Sequence, residues 1–213
     1  MLLPAIGILR QVFSPLRFQF SQFCDKITMP SALVILSEGA EEMETVITVD
    51  VLRRGGIDVT VAGLSSADPV TCSRGVVIKP DTSLDAAAEN SYDAIICPGG
   101  MGGAKNLAGS SMVGELLKKQ ETDGKYVACI CAAPIALKSH KIGSGKTITS
   151  HPVVGDEMKE AGYKYSEDRV VVDDKLITSR GPGTCFEFAL ALVEHLQSKQ
   201  KKDSIIPPML LKL

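Results

Sequence analysis

The chain has 213 residues, of which 45% are hydrophobic and 23% charged, and its formal net charge is −2. That is enough apolar material for one domain with a sizeable core, or for two small ones. The slight acidity argues against nucleic acid or an anionic membrane as a partner, and no apolar run reaches the ~18 residues of a spanning helix.

Residues 1–29 stand apart. They carry Arg10, Arg17 and Lys26 against the single acid Asp25, together with Ser14 and Ser21. Setting those aside from the chain's 23 bases and 25 acids leaves 20 and 24, so the remainder is the acidic part. An Arg-containing, acid-poor, partly amphipathic leader resembles a mitochondrial presequence more than a secretory signal, which would show an ordered apolar segment and a small-residue cleavage site. A disordered or loosely packed extension is the other reading, and Met29 is also placed to start translation. The expected organisation is an N-terminal extension over 1–29 and a single α/β domain over 30–213.

From Ser31 the pattern alternates between strand and helix. SALVILS reads as a buried strand, and AEEMETVITVDVLRRGG as a helix with acids in its first turn, Arg53 and Arg54 in its last and glycines beyond. IDVTVAG is a strand, VVIKP a short strand ended by Pro80, SLDAAAEN a short helix, and YDAIICPGG a strand running into a glycine turn. SMVGELLKKQETDG is a helix, KYVACI a strand, APIALKSH a helix, KTITSHP a strand and VVGDEMKEAG a helix. RVVVDD and KLITS form a strand pair across a tight acidic turn, and TCFEFALALVEHLQSKQ is a last long helix. Such alternation predicts a mainly parallel sheet covered on both faces, with ligands bound beyond the carboxyl ends of the strands. The loops of interest are then Ser37–Glu44, Cys97–Gly103, Cys131–Pro134, Ser150–Pro152 and Arg180–Gly183. The Gly/Pro-rich PGGMGG and RGPG among them suit close backbone approach and amides aimed at an anion.

Six cysteines (Cys24, Cys72, Cys97, Cys129, Cys131 and Cys185) are read as reduced thiols, because several lie inside apolar strands or helices of a chain that needs no staples. The C-x-C spacing of Cys129 and Cys131, with only His140, His151 and His195 elsewhere, gives no compact metal-ligand cluster. GSGKT at Gly143–Thr147 is not a phosphate loop: His140 occupies the place of its first glycine, and a strand follows rather than a helix. PGGMGGAKN likewise misses the dinucleotide spacing. No cofactor is expected.

The strand KYVACI meets the helix APIALK at Cys131, the geometry of a nucleophile elbow, and Pro134 fits the first turn of that helix. The free amides and dipole of a helix start favour a thiolate there, whereas Cys129 lies within the strand as core filler. Glu44 falls in the first turns of the opening helix, just past the first strand, where Glu41 and Glu42 read as ordinary dipole-complementing acids. His151 follows a strand end on the same rim. His195 reads as a polar-face residue of the last helix.

ALVILSEGAEEMETVITVDVLRRGGIDVTVAGL, CSRGVVIKPDTSL, CPGGMGGAKNL, CICAAP, SHP and TSRGPGTCFEFALALVE, in this order, resemble the Parkinson-disease-protein (protein deglycase) branch of the ThiJ/PfpI superfamily. The resemblance runs from about Ser31 to the PPMLLKL tail. It implies a flavodoxin-like three-layer sandwich that forms a homodimer. It also makes Cys131 both nucleophile and oxidative-stress sensor, with Glu44 as the proton-holding partner of the thiol and His151 as the histidine after the next strand. Oxyanion-type amides are implied at Gly100 and Ala132, and an arginine reaching across the dimer at Arg74. The sequence departs from the family at Lys79, where a second regulatory cysteine is expected, and at Cys97 and Cys129.

The implied activity is a cofactor-free deglycase or glyoxalase that acts on 2-oxoaldehydes such as methylglyoxal, and on glycated amines or thiols, through a hemithioacetal at Cys131. The alternative is a non-enzymatic, chaperone-like dimer that senses oxidation at the same thiol. An amidotransferase is excluded because Leu196 and Gln197, not x-Glu, follow His195. A peptidase would need His140 or His151 as base. The expected compartment is the cytoplasm, with mitochondrial and nuclear pools.

Overall fold

A computed structural model describes residues 29–212 of the chain. The predicted extension, with Cys24, therefore lies almost wholly outside the described residues.

In chain order the elements begin with β1 (Ser31–Leu36), α1 (Glu42–Arg54), β2 (Asp58–Gly63), β3 (Val70–Thr71), β4 (Val77–Ile78), β5 (Thr82–Ser83) and α2 (Leu84–Ala87). They continue with β6 (Ala94–Cys97), α3 (Met101–Gly109), α4 (Ser111–Thr122), β7 (Tyr126–Ile130), α5 (Pro134–His140), β8 (Thr147–Ile148) and α6 (Pro152–Glu160). The last are β9 (Lys164–Tyr165), β10 (Val170–Asp173), β11 (Leu176–Ser179), α7 (Cys185–Leu196) and α8 (Lys199–Ile205). A seven-stranded sheet runs β10-β11-β7-β6-β1-β2-β5, parallel throughout except for the β10–β11 pair. Its strands β1, β2, β6, β7 and β11 stand in the flavodoxin order 2-1-3-4-5, so the predicted α/β sandwich is the fold observed.

The apolar runs explain the order. Ala32–Leu36 of β1 and all of β6 are buried, as central parallel strands covered on both faces must be. Helix α1 packs on α7, and α7 on α8, while α3, α4, α5 and α6 pack against one another in succession. Caps set the boundaries. Glu41 accepts from the Glu44 amide at 2.8 Å to start α1, and Ser110 accepts from Val113 to start α4. Asp174, at φ 57°, makes the tight turn between β10 and β11.

Three expectations change. The glycine turn after β6 becomes helix α3 directly after Gly100, because its glycines let it press onto the loop after β1. A side chain at Gly103 would lie 2.8 Å from the Ala40 Cα, so the residues that weaken the helix locally are those that allow the packing. The last long helix breaks at Gln197 and restarts as α8, where the Ser198 hydroxyl accepts from the Lys201 amide at 3.1 Å. The KTITSHP strand shrinks to β8, which pairs with β9 in a separate two-stranded ladder rather than extending the main sheet.

Candidate active site

In a sheet of this order the strand connections diverge between β1 and β6, leaving a crevice beyond their carboxyl ends. The loops on either side of it are tied together. The Glu41 amide donates to the Gly99 carbonyl at 3.1 Å, and a Cβ on Gly100 would sit 2.4 Å from the Gly39 carbonyl oxygen. Gly100 also has φ 76°, so this loop needs a glycine on both counts.

Cys131 follows β7 at φ 63°, a backbone state rare for a residue with a side chain and typical of a strained functional turn. Backbone bonds hold it on both sides: its amide donates to the Ser179 carbonyl at 3.0 Å, and its carbonyl accepts from the His151 amide at 2.8 Å. Only 9% of the residue is exposed. The amides of Gly100 and Ala132 donate toward its sulfur and favour the thiolate.

Glu44 lies on the inward side of α1 and is fully buried. Its Oε2 accepts from the Gly99 amide at 2.7 Å, while Oε1 has no partner among the described residues. A buried carboxylate oxygen without a donor is costly, so Oε1 is the natural seat of a proton. Burial, with the nearby charge of Glu41, raises the Glu44 pKa to about 7 against the pull of the Cys131 thiol and the Gly99 amide.

The thiol behaves differently from the sequence reading. A helix start was expected to favour the thiolate near neutrality, yet burial and then the Glu44 charge push the Cys131 pKa up to about 12. The Gly100 and Ala132 amides act in the expected direction but are outweighed. Cysteine and glutamate therefore form a pair in which ionising one opposes ionising the other, and a neutral Glu44 is what releases the thiolate.

Gly99 fills the space between the two side chains. A Cβ there would lie 2.6 Å from the Cys131 Cβ and 2.7 Å from the Glu44 Oε2. Gly99→Ala is expected to destabilise the fold by about 1–3 kcal/mol through overpacking, read from the shift of the urea midpoint at constant slope.

Of the expected site residues, Cys131, Glu44, Gly100 and Ala132 are brought together. His151 stands on the rim, joined to the elbow through its backbone; its Nδ1 accepts from the Val153 amide at 3.2 Å and caps α6, and it makes no hydrogen bond to the thiol. Arg74 is exposed beyond β3, its amide on the Glu42 carboxylate at 2.9 Å and its guanidinium on the Ser73 carbonyl, with no hydrogen bond or ion pair to Cys131 or Glu44. His140 is engaged away from the elbow, its Nε2 2.9 Å from the Leu107 carbonyl.

Several residues escaped the sequence reading. Glu41 caps the helix that carries Glu44, and Glu42 clamps Ser73 and Arg74 rather than facing water as a surface acid. Their shared spacing with Glu44 hid the three different roles. Cys185 opens α7 fully buried, its thiol donating to the Gly181 carbonyl at 3.6 Å and its pKa raised by burial and then by the Glu44 charge. Cys129 is core filler as read, fully buried and in register with Cys97 of β6, its pKa raised by burial and then by the Cys97 thiol.

Residues 30–195 match the family model described as DJ-1/PfpI family. The chain belongs to the DJ-1/PfpI family. As a DJ-1/PfpI chain it is 54% identical over 183 residues to the Parkinson disease protein 7 homolog of Danio rerio, covering 85% of this chain and 97% of that protein. It is 47% identical over 182 residues to the glutathione-independent glyoxalase DJR-1.2 of Caenorhabditis elegans, covering 85% and 96%. Its fold matches the crystal structure of Drosophila melanogaster DJ-1beta with a TM-score of 0.85 at 49% identity, over 87% of this chain and all of that one. The Toxoplasma gondii DJ-1 structure, described as oxidized, matches with a TM-score of 0.82 at 35% identity, over 86% of this chain and all of that one.

Proposed function

We propose that this DJ-1/PfpI chain converts 2-oxoaldehydes, free or already added to an amine or thiol, into lactate-type hydroxy acids without a cofactor. The observation that carries the reading is the buried Glu44 carboxyl beside the elbow thiol, with its pKa raised to about 7. The 47% identity to a protein named as a glutathione-independent glyoxalase supports it.

In this reading the Glu44 carboxylate takes the Cys131 proton, and the thiolate adds to the aldehyde carbon of methylglyoxal. The new oxyanion lies toward the Gly100 and Ala132 amides. The aldehyde C–H proton leaves to a base and returns to the neighbouring carbon, turning the hemithioacetal into a lactoyl thioester. In this reading Glu44 and His151 carry it. Water then cleaves the thioester, releasing lactate and restoring the thiol. For an adduct, the Cys131 sulfur replaces the amine or thiol at the former aldehyde carbon, and the leaving group departs with the proton that Glu44 took from Cys131.

The second reading is redox sensing by the same thiol. It is favoured by the Gly100 and Ala132 amides and the Glu44 proton, which would hold a sulfinate, and by the structural relative described as oxidized. Lactate release from methylglyoxal by wild type and Cys131→Ser, with the intact mass of each after mild peroxide, separates the two. Equal turnover overturns the enzymatic reading. A gain of about two oxygens in wild type alone, without a turnover difference, favours sensing.

A homodimer is part of the proposal. Met43 and Val46 on α1, with Val76 and Val77 at β4, are large apolar side chains 48–60% exposed, the kind of surface a second copy would cover. In sedimentation velocity the chain is expected to run at about twice its 22.7 kDa mass and Val46→Glu as a single copy. A single-copy wild type sinks this part.

A further inference from the structure

Next to the elbow, on the side of His151, lies a second cavity of about 370 Å³, open to solvent and lined by His151, Arg169, Arg180, Gly181 and Thr184 among others. Of its lining residues only His151 takes part in the proposed chemistry; the arginines and the 181–184 turn have no role in it. It is joined to the elbow through the backbone: the His151 amide donates to the Cys131 carbonyl, and a Cβ on Gly181 would stand 3.5 Å from the His151 ring.

Its two arginines are not equivalent. Arg169 is neutralised by Glu187 at 2.6 Å and also donates to the Gly183 carbonyl. Arg180 is half-buried and donates through Nη1 to the Glu167 carbonyl at 2.7 Å, and among the described residues no carboxylate lies within 4.0 Å of it. One hydrogen bond to a neutral carbonyl fixes that guanidinium while leaving it most of its five N–H donors and its whole charge. Helix α7 starts just after Thr184, so its positive end adds to the field there. The cavity thus holds an oriented, unneutralised cation on the His151 side of the elbow.

We propose that this cavity is a subsite for an anionic group, carboxylate or phosphate, carried by the amine or thiol half of the adduct. The inference rests on the reading that Cys131 acts on such adducts. It makes free glycated amino acids, carboxylate-bearing thiols and phosphate-bearing amines better substrates than neutral adducts. Arg180 is the specificity-determining residue, and it touches the part of the substrate that leaves rather than the carbon that reacts.

The test uses stable probes on the full chain carrying Cys131→Ser, so binding is read without turnover. N-lactoylglycine (carboxylate), N-lactoyl phosphoethanolamine (phosphate) and N-lactoylglycinamide (neutral) are titrated calorimetrically. At least one anionic probe is expected to bind about tenfold tighter than the neutral one, as one charge-assisted contact would give. The larger of the two preferences identifies the source of the anion. Adding Arg180→Gln is expected to abolish the preference while leaving the affinity for the neutral probe within about twofold. Equal binding of all three probes overturns the proposal, and so does a preference that survives Arg180→Gln. Should that variant fail to fold, the Arg180 Nε–H resonance of the Cys131→Ser chain decides. It shifts with an anionic probe and not with the amide, and no shift overturns the subsite. Absence of lactate release by wild type would sink the enzymatic reading alone, because the binding measurements stand apart from it.

Discussion

Cys131→Ser is expected to lower the rate of lactate formation from methylglyoxal by at least about a thousandfold. The serine oxygen fits the same elbow, held by the same backbone bonds to the Ser179 carbonyl and from the His151 amide, so the fold should be untouched. What changes is the proton. Even with its pKa pushed up to about 12, the thiol gives its proton to the Glu44 carboxylate far more readily than an aliphatic hydroxyl does, so the serine forms no covalent adduct. The measurement is lactate release at saturating substrate, with thermal melting of both proteins as the control for folding. Residual activity above about a tenth of wild type would place the chemistry elsewhere.

Glu44→Gln is expected to do two opposite things. Activity should fall by about a hundredfold or more, because the amide can neither accept the thiol proton nor return it. Stability at alkaline pH should rise. The folded pKa of Glu44, about 7, lies above its ordinary value of 4.5. Between those values the folded chain holds a proton that the unfolded chain has lost, so this group's contribution is complete below about pH 4.5 and declines until about pH 7. Glutamine does not titrate. The stability of Glu44→Gln relative to wild type should therefore climb across that window by up to about 3 kcal/mol, an order-of-magnitude figure from the shift itself. Urea unfolding of both proteins at pH 5 and pH 8 measures it. A difference that stays flat with pH would mean that Glu44 titrates as an exposed acid, and its proton-holding role would fail with it.

Much of this architecture is readable in the residues. Buried runs such as SALVIL and AIIC, set between helices with acidic starts, define a parallel sheet, and the strand-to-helix junction marks Cys131 before any coordinate is known. The environment of the thiol is not readable in the same way. Glu41, Glu42 and Glu44 share one helix start, and only the rotation of α1 against the sheet decides which caps, which clamps the β3–β4 hairpin and which is buried. The thiol pKa is hidden for the same reason: the helix start is local and visible, whereas the burial and the Glu44 carboxyl that oppose it come from distant parts of the chain. Helix α3 was hidden because its glycines count against a helix locally, while their value lies in the contact with Gly39 and Ala40. Arg180 is likewise an ordinary basic residue in sequence, and only the pairing of Arg169 with Glu187 singles it out.

The elbow backbone is held through main-chain atoms, the carbonyl of Ser179 and the amide of His151. Every residue type supplies a carbonyl, and every type except proline supplies an amide. The position of the sulfur is therefore largely indifferent to which side chains stand at those two places. Rim side chains outside the proposed proton transfer, Arg180 among them, can change, and with them the molecules admitted, without moving the sulfur. Such decoupling lets one scaffold diversify its clientele through single substitutions while its reactive centre stays fixed.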